Sequence, residues 1–151
     1  IAGSAAKGVL SEAFQSDGVT GLTAAATAIN ATPQVQKRSK YVRNYCVFNA
    51  AAGGAPPNAD CAAFPAVATN WTVSVAIAAN AGNGIPTTLD GFVFNLSPNV
   101  QNVLPTATST GAVDWACTST TNVSAAGRNL GNRTIPAATP MPAKYMPSEC
   151  R

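Results

Sequence analysis

The chain has 151 residues, enough for one domain with a real core. Charged residues make up only 10% of it, against about 25% in ordinary globular domains. The net charge of +3 is too mild to mark a dedicated nucleic-acid binder, and the absence of histidine with four widely spaced cysteines excludes an ordinary zinc site.

Residues 1 to about 30 read as one amphipathic helix. Apolar side chains recur at Ala6, Val9, Leu10, Ala13, Phe14, Leu22, Ala25, Ala26 and Ile29, close to the i, i+3, i+4, i+7 pattern. Gly18 and Gly21 weaken the middle by about 1 kcal/mol each relative to alanine, so a bend is expected there. Pro33 ends the helix, because the residue before a proline avoids the α region.

Residues 33–70 read as an irregular connector. It carries the basic run Lys37-Arg38-Ser39-Lys40, the aromatic stretch from Tyr41 to Phe48, and the turn-rich span from Gly53 to Asn58. A connector this long is functional or stapled. The period then changes to two. Trp71, Val73, Val75 and Ile77 alternate with Thr72, Ser74, Ala76 and Ala78, the clearest strand in the chain. A second strand is expected over about Leu89 to Leu96, a weaker third over about Val100 to Thr108, and a fourth over Gly111 to Thr118. Pro105 pushes the third toward an edge or a bulge. Residues 71–118 thus form a β-meander, and short links make neighbouring strands antiparallel. A long helix followed by four strands predicts an α+β fold, with the helix on the sheet's apolar face.

The four cysteines are separated by fourteen, fifty-five and thirty-two residues. An even count in a small chain reads as disulfides and an oxidising compartment. Of three pairings, Cys46–Cys61 with Cys117–Cys150 joins sequence neighbours and is preferred. Loops of these sizes suggest about 3 and about 4 kcal/mol of stabilisation on the chain-entropy account. The second bridge closes residues 117–150 and ties the last segment onto the fourth strand.

That C-terminal region carries the most specific signature, Trp115-x-Cys117-Thr118-Ser119, then a loop, then Pro147-Ser148-Glu149-Cys150-Arg151. It resembles the disulfide-bonded end of type IVa major pilins, pseudomonad pilins above all. The order of helix, variable loop, four-stranded sheet and terminal loop is similar across the whole chain. The resemblance implies a non-enzymatic structural subunit, polymerising helically into a retractable fibre for surface or host-cell adhesion and twitching motility.

The family's N-terminal signature, a methylated phenylalanine followed by a glutamate and a long apolar stretch, is not among these residues. The chain begins Ile1-Ala2-Gly3-Ser4 and reads as an N-terminally truncated, soluble domain. The resemblance implies that the missing segment anchors the subunit in the inner membrane before assembly and joins it to other subunits in the extracellular fibre. It also implies a host receptor for the C-terminal loop, and phage as a partner. Cys46–Cys61 is an extra pair, the terminal loop is long, and Arg151 stands where some members end in a glycosylated serine. A minor pilin, a type II secretion pseudopilin or a freestanding secreted binding module are the alternatives.

Candidate chemistry is thin. Ser4-Ala5-Ala6-Lys7 matches the S-x-x-K nucleophile motif but lacks the companion K-T-G and S-D-N segments, so it reads as chance. The acids Glu12, Asp17, Asp60, Asp90, Asp114 and Glu149 are scattered singly. No catalytic residue, metal ligand or cofactor site is expected. Lys37, Arg38, Lys40 and Arg43 lie beside Tyr41 and Tyr45, a mixture that can bind DNA; the plain alternative is a solvated loop or a subunit contact. Lys144-Tyr145-Met146-Pro147 offers a cation, an amphipathic ring and an apolar chain beside a rigid turn, which suits receptor contact. Equally, Tyr145 and Met146 can pack the loop onto the sheet. Triplets at Asn70, Asn122 and Asn132 match the N-glycosylation pattern, and Thr106–Thr110 and Thr118–Thr121 are candidate O-glycan stretches.

Overall fold

The computed structural model describes residues 2–151, with side chains from Ala6 onward. Helix α1 spans Ala2–Ala31 and is broken at Gly18, which adopts φ 61° and ψ −141°. The kink brings Gly21, at the start of the second half, against Ala13 at the end of the first. An added Cβ on Gly21 would lie 2.1 Å from the Ala13 carbonyl oxygen, so only glycine fits there. The two halves present Ala6, Leu10 and Phe14, then Leu22, Ala25, Ala26 and Ile29, to the core. Val9 lies 100° around the helix from Leu10 and is half exposed, at the flank of the stripe.

Four antiparallel strands pack beneath α1 in the order β1-β2-β3-β4. They are Val42–Phe48, Thr72–Ile77, Val93–Val100 and Val113–Thr118. The number of strands is the expected one, but their membership differs. The meander begins at Val42 rather than 71, because β1 lies inside the stretch read as a connector, after the short helix α2 (Gln34–Lys37). Arg43 and Asn44 interrupt an apolar alternation that Tyr45, Val47 and Phe48 would otherwise announce. The strand expected over 100–108 does not form. Gln101 (φ 52°) and Asn102 (φ 68°) are both left-handed, and Val100 and Val103 exchange hydrogen bonds of 2.8 and 3.3 Å across them. Two consecutive positive φ values make this a tight type I′ turn that ends β3. β3 also starts late, at Val93, because Thr87–Leu89 form a 3-10 turn and Gly91 turns at φ 81°.

One face of the sheet carries Val47, Val73, Val75, Leu96 and Cys117 into the core shared with α1. Both tryptophans on this side fix the helix through their indole N–H groups. Trp71 donates to Thr23 Oγ1 at 3.1 Å and Trp115 to Ser11 Oγ at 2.9 Å.

The other face is polar and equally buried. Cys46, Ser74, Asn95 and Thr118 stand in one register row, with Thr72, Ser97 and Asn99 beside it. Thr72, Ser74, Asn95, Ser97, Asn99 and Thr118 are all fully buried beneath irregular chain. Of their amides and hydroxyls, all but the Ser97 hydroxyl, which has no partner among the described residues, bind the loops above them. Asn95 Nδ2 donates to Ala52 O at 2.9 Å, Thr118 Oγ1 to Thr134 O at 2.9 Å, and Asn99 Nδ2 to Asn132 O at 2.9 Å. Loops that carry no secondary structure thereby obtain partners for their backbone, which buried chain requires. The molecule has three layers: helix, sheet, and a docked loop layer.

The edge strand β1 is closed in the same manner. Its outward carbonyls at Arg43, Tyr45 and Val47 accept from Gln34 Nε2 (3.0 Å), Lys37 Nζ (3.0 Å) and Asn30 Nδ2 (2.9 Å). Asn30 Oδ1 also accepts the Val47 N–H at 2.8 Å. Side chains thus occupy the place of a fifth strand and block edge-to-edge pairing.

Candidate functional site

Two disulfides staple irregular chain to the sheet: Cys46–Cys61 and Cys117–Cys150, the second within the core shared with α1. The region closed by Cys117–Cys150 is a docked plate. Its helix α3 (Val123–Gly127) places Ala125 against Leu130 and Ala116 in a small core of their own. Met141 N donates to Val93 O at 2.8 Å and Val93 N to Thr139 O at 2.9 Å, so this segment runs beside β3 where β4 has ended. The chain end is fixed by Ser119 Oγ donating to Cys150 O (2.6 Å), Ser124 N to Arg151 O (2.9 Å) and Arg151 Nε to Met146 O (2.9 Å).

This packing separates the four loop residues singled out in the sequence. Met146 is buried and forms a wall of a cavity of about 310 Å3 with Val42, Phe94 and Cys150. It pins the loop and is not a surface contact. Lys144, Tyr145 and Pro147 are exposed. The Lys144 ammonium lies 5.1 Å from the Tyr145 ring centroid, a pre-arranged cation–aromatic pair on the 3-10 turn Ala143–Tyr145. The direction of these side chains depends on how the turn seats against the sheet, which no local pattern encodes.

The basic cluster is also divided. Lys37 is buried, and its ammonium donates to Ile29 O (3.1 Å) and Tyr45 O (3.0 Å). Burial lowers its pKa, against the pull of Asp60. Burial raises the Tyr45 phenol. Arg43 turns toward Asp90, 3.8 Å away, and donates to Pro56 O. Arg38 and Lys40 remain on the surface, Lys40 over the Tyr41 ring at 5.3 Å. The four cations therefore do not form one basic stripe.

The other candidates resolve individually. Of the S-x-x-K motif, the Ser4 side chain lies outside those described. Asn132 is buried with its amide on Pro98 O (2.8 Å), and Thr118 and Ser119 are fully buried, so these are not glycan acceptors in the folded chain. Thr106, Thr108 and Thr110 are exposed on the loop after β3. Among the described residues, no group of three or more acidic, cysteine or histidine side chains is placed to hold a metal. No described helix is long and apolar enough to cross a membrane.

A family model described as pilin, a bacterial filament, matches residues 2–151. Among solved structures, the fold is similar to that of a type IV pilin of Pseudomonas aeruginosa, strain Pa110594. That likeness has a TM-score of 0.58 and 24% identity, and covers 99% of this chain and 95% of the other. No curated protein sequence matches the chain.

Proposed function

Because the chain belongs to the pilin family of bacterial filament proteins, we propose that it is the subunit of a type IVa pulling fibre used for surface attachment and twitching motility. The family match over nearly every residue carries this reading. A structural subunit of a pilus needs a rigid head, and three packed layers with the β1 edge closed by side chains supply one. The closed β1 edge also directs polymerisation away from strand addition there. We assign assembly to other copies of this subunit, joined in the fibre through an apolar helical segment preceding α1, and place the head on the outside of an extracellular filament. Heterologous contacts that do not close on themselves give such open helical polymers.

Within this reading the terminal plate is the adhesive surface. Lys144 and Tyr145 stand exposed on a segment already ordered by a disulfide and by backbone hydrogen bonds, so a receptor need order little more. Replacing both by alanine is expected to weaken attachment of assembled fibres about tenfold, the equivalent of ~1.4 kcal/mol, and to leave fibre yield unchanged. Attachment per sheared fibre and the amount of sheared fibre are the two readouts. Loss of yield with unchanged attachment per fibre would make the pair a subunit contact instead.

A further inference from the structure

The two disulfides sit in different electrostatic settings. Among the described residues, no side chain donates to the Cys117 or Cys150 sulfur, and both residues are buried. Cys61 is partly exposed while its partner Cys46 is fully buried. The Lys37 ammonium lies 2.9 Å from Cys61 Sγ. That ammonium is itself held by the Ile29 and Tyr45 carbonyls, so it is a fixed charge rather than a roaming one.

The segment around Cys61 is docked by bonds that do not involve the disulfide. Asn44 Nδ2 donates to Pro57 O (3.0 Å) and Ala59 O (2.9 Å). Gln34 Nε2 donates to Asn58 Oδ1 (2.9 Å), Gln34 N to Asp60 Oδ1 (2.8 Å), and Asn30 Nδ2 to Ala62 O (3.2 Å). A thiol at position 61 is therefore delivered to Lys37 before any bond to Cys46 exists.

We propose that Cys61 is the nucleophile through which the Cys46–Cys61 bond is made, with Lys37 holding its thiolate ready for attack on a dithiol–disulfide oxidoreductase. The thiolate is the attacking species, and a neighbouring cation favours it. In the first step the Cys61 sulfur attacks one sulfur of the oxidant's disulfide. The oxidant's S–S bond breaks, and its second sulfur leaves as a thiolate. Cys46 then loses its proton to solvent and attacks Cys61 Sγ. The mixed disulfide breaks, and the oxidant departs as a dithiol. Two electrons pass from the two cysteines to the oxidant, whose thiolates take up two protons from solvent.

The order follows from access, since a protein partner reaches Cys61 and not Cys46. Three titratable groups bear on Cys61: Lys37 from α2 directly on its sulfur, Asp60 next to it in its own loop, and Tyr45 from β1, whose ring centroid lies 5.3 Å from the Lys37 ammonium. Asp60 opposes Lys37, but its carboxylate is engaged by the Gln34 N–H. Arg43 on β1 is turned to Asp90.

The test follows alkylation by iodoacetamide, a neutral reagent, against pH. In Cys46→Ser, the Cys61 midpoint should fall about one pH unit below that of Cys46→Ser with Lys37→Gln. Cys46→Ser with Lys37→Arg should stay near the lower value. Equal midpoints in all three proteins overturn the proposal, as does an equal rise for Gln and Arg. A comparison that leaves Lys37 intact sets native Cys46→Ser against the same protein in urea, where the native midpoint should again be lower. An equal or higher native midpoint overturns the proposal. At pH 7 Cys61 in Cys46→Ser should react about tenfold or more faster than Cys46 in Cys61→Ser. A faster Cys46 overturns the proposed order.

Discussion

Replacing Phe14 by alanine is expected to lower the unfolding free energy by about 3–5 kcal/mol. Phe14 is 5% exposed and belongs to the core that joins the first half of α1 to the sheet. Truncating its ring removes a large apolar area from that core. The break at Gly18 and the close approach at Gly21 hold the two halves of α1 in a fixed relation, so the helix cannot simply slide to fill the void. The matched control is Val9→Ala on the same half of the helix. Val9 is 50% exposed, and a change within about 0.5 kcal/mol is expected there. Urea unfolding of both variants measures the difference. A Phe14 loss below about 1 kcal/mol would place the ring outside the monomer's core.

Removing the terminal bridge, with serine at both Cys117 and Cys150, should cost about 4 kcal/mol, because the bond closes a loop with a sequence separation of 33. For a domain of this size that is a fall in Tm of about 10–15 °C. The loss should be uneven. Ser119, Ser124 and Arg151 still bind the chain end through backbone acceptors, and Met146 still packs into the core. Hydrogen exchange should therefore quicken most over residues 143–151, while β2, buried on both faces, keeps its protection. Fibres carrying the reduced bridge should attach less well than those lacking Lys144 and Tyr145, because the whole plate loosens. Uniform loss of protection across the sheet would mean that the bridge holds the core rather than the plate.

Much of the fold could be read from local periodicity, and the misses have identifiable causes. α1 was legible because its stripe repeats at the helical period, and its two glycines marked the break. β2 was legible because Trp71, Val73, Val75 and Ile77 alternate without a fault. β1 was hidden because what completes it is remote: Asn30, Gln34 and Lys37 close its outer edge. The strand expected after Val100 fails at Gln101-Asn102, a pair that tolerates left-handed backbone but looks like ordinary strand-edge sequence. The buried polar face was equally hidden. Ser74, Asn95, Asn99 and Thr118 have the hydropathy of solvent-facing residues, yet they bind loop backbone that lies far along the chain. For the candidate surface, composition singled out four residues but could not give their directions. Tyr145 and Met146 are adjacent, and only the seating of one 3-10 turn sends the first outward and the second into the core. Lys37 is the sharpest case: a basic run suggests solvent, while the fold places its ammonium against a sulfur and two carbonyls.

The most direct measurement is the protein composition of filaments sheared from the surface of the cells that make this chain. Peptides spanning Leu10 to Arg151 should dominate the purified filament by mass spectrometry. Deleting the gene should remove the filaments from electron micrographs, and restoring it should return them. Filaments that persist without the gene, with this chain recovered only as free protein, would contradict its assignment as their structural subunit.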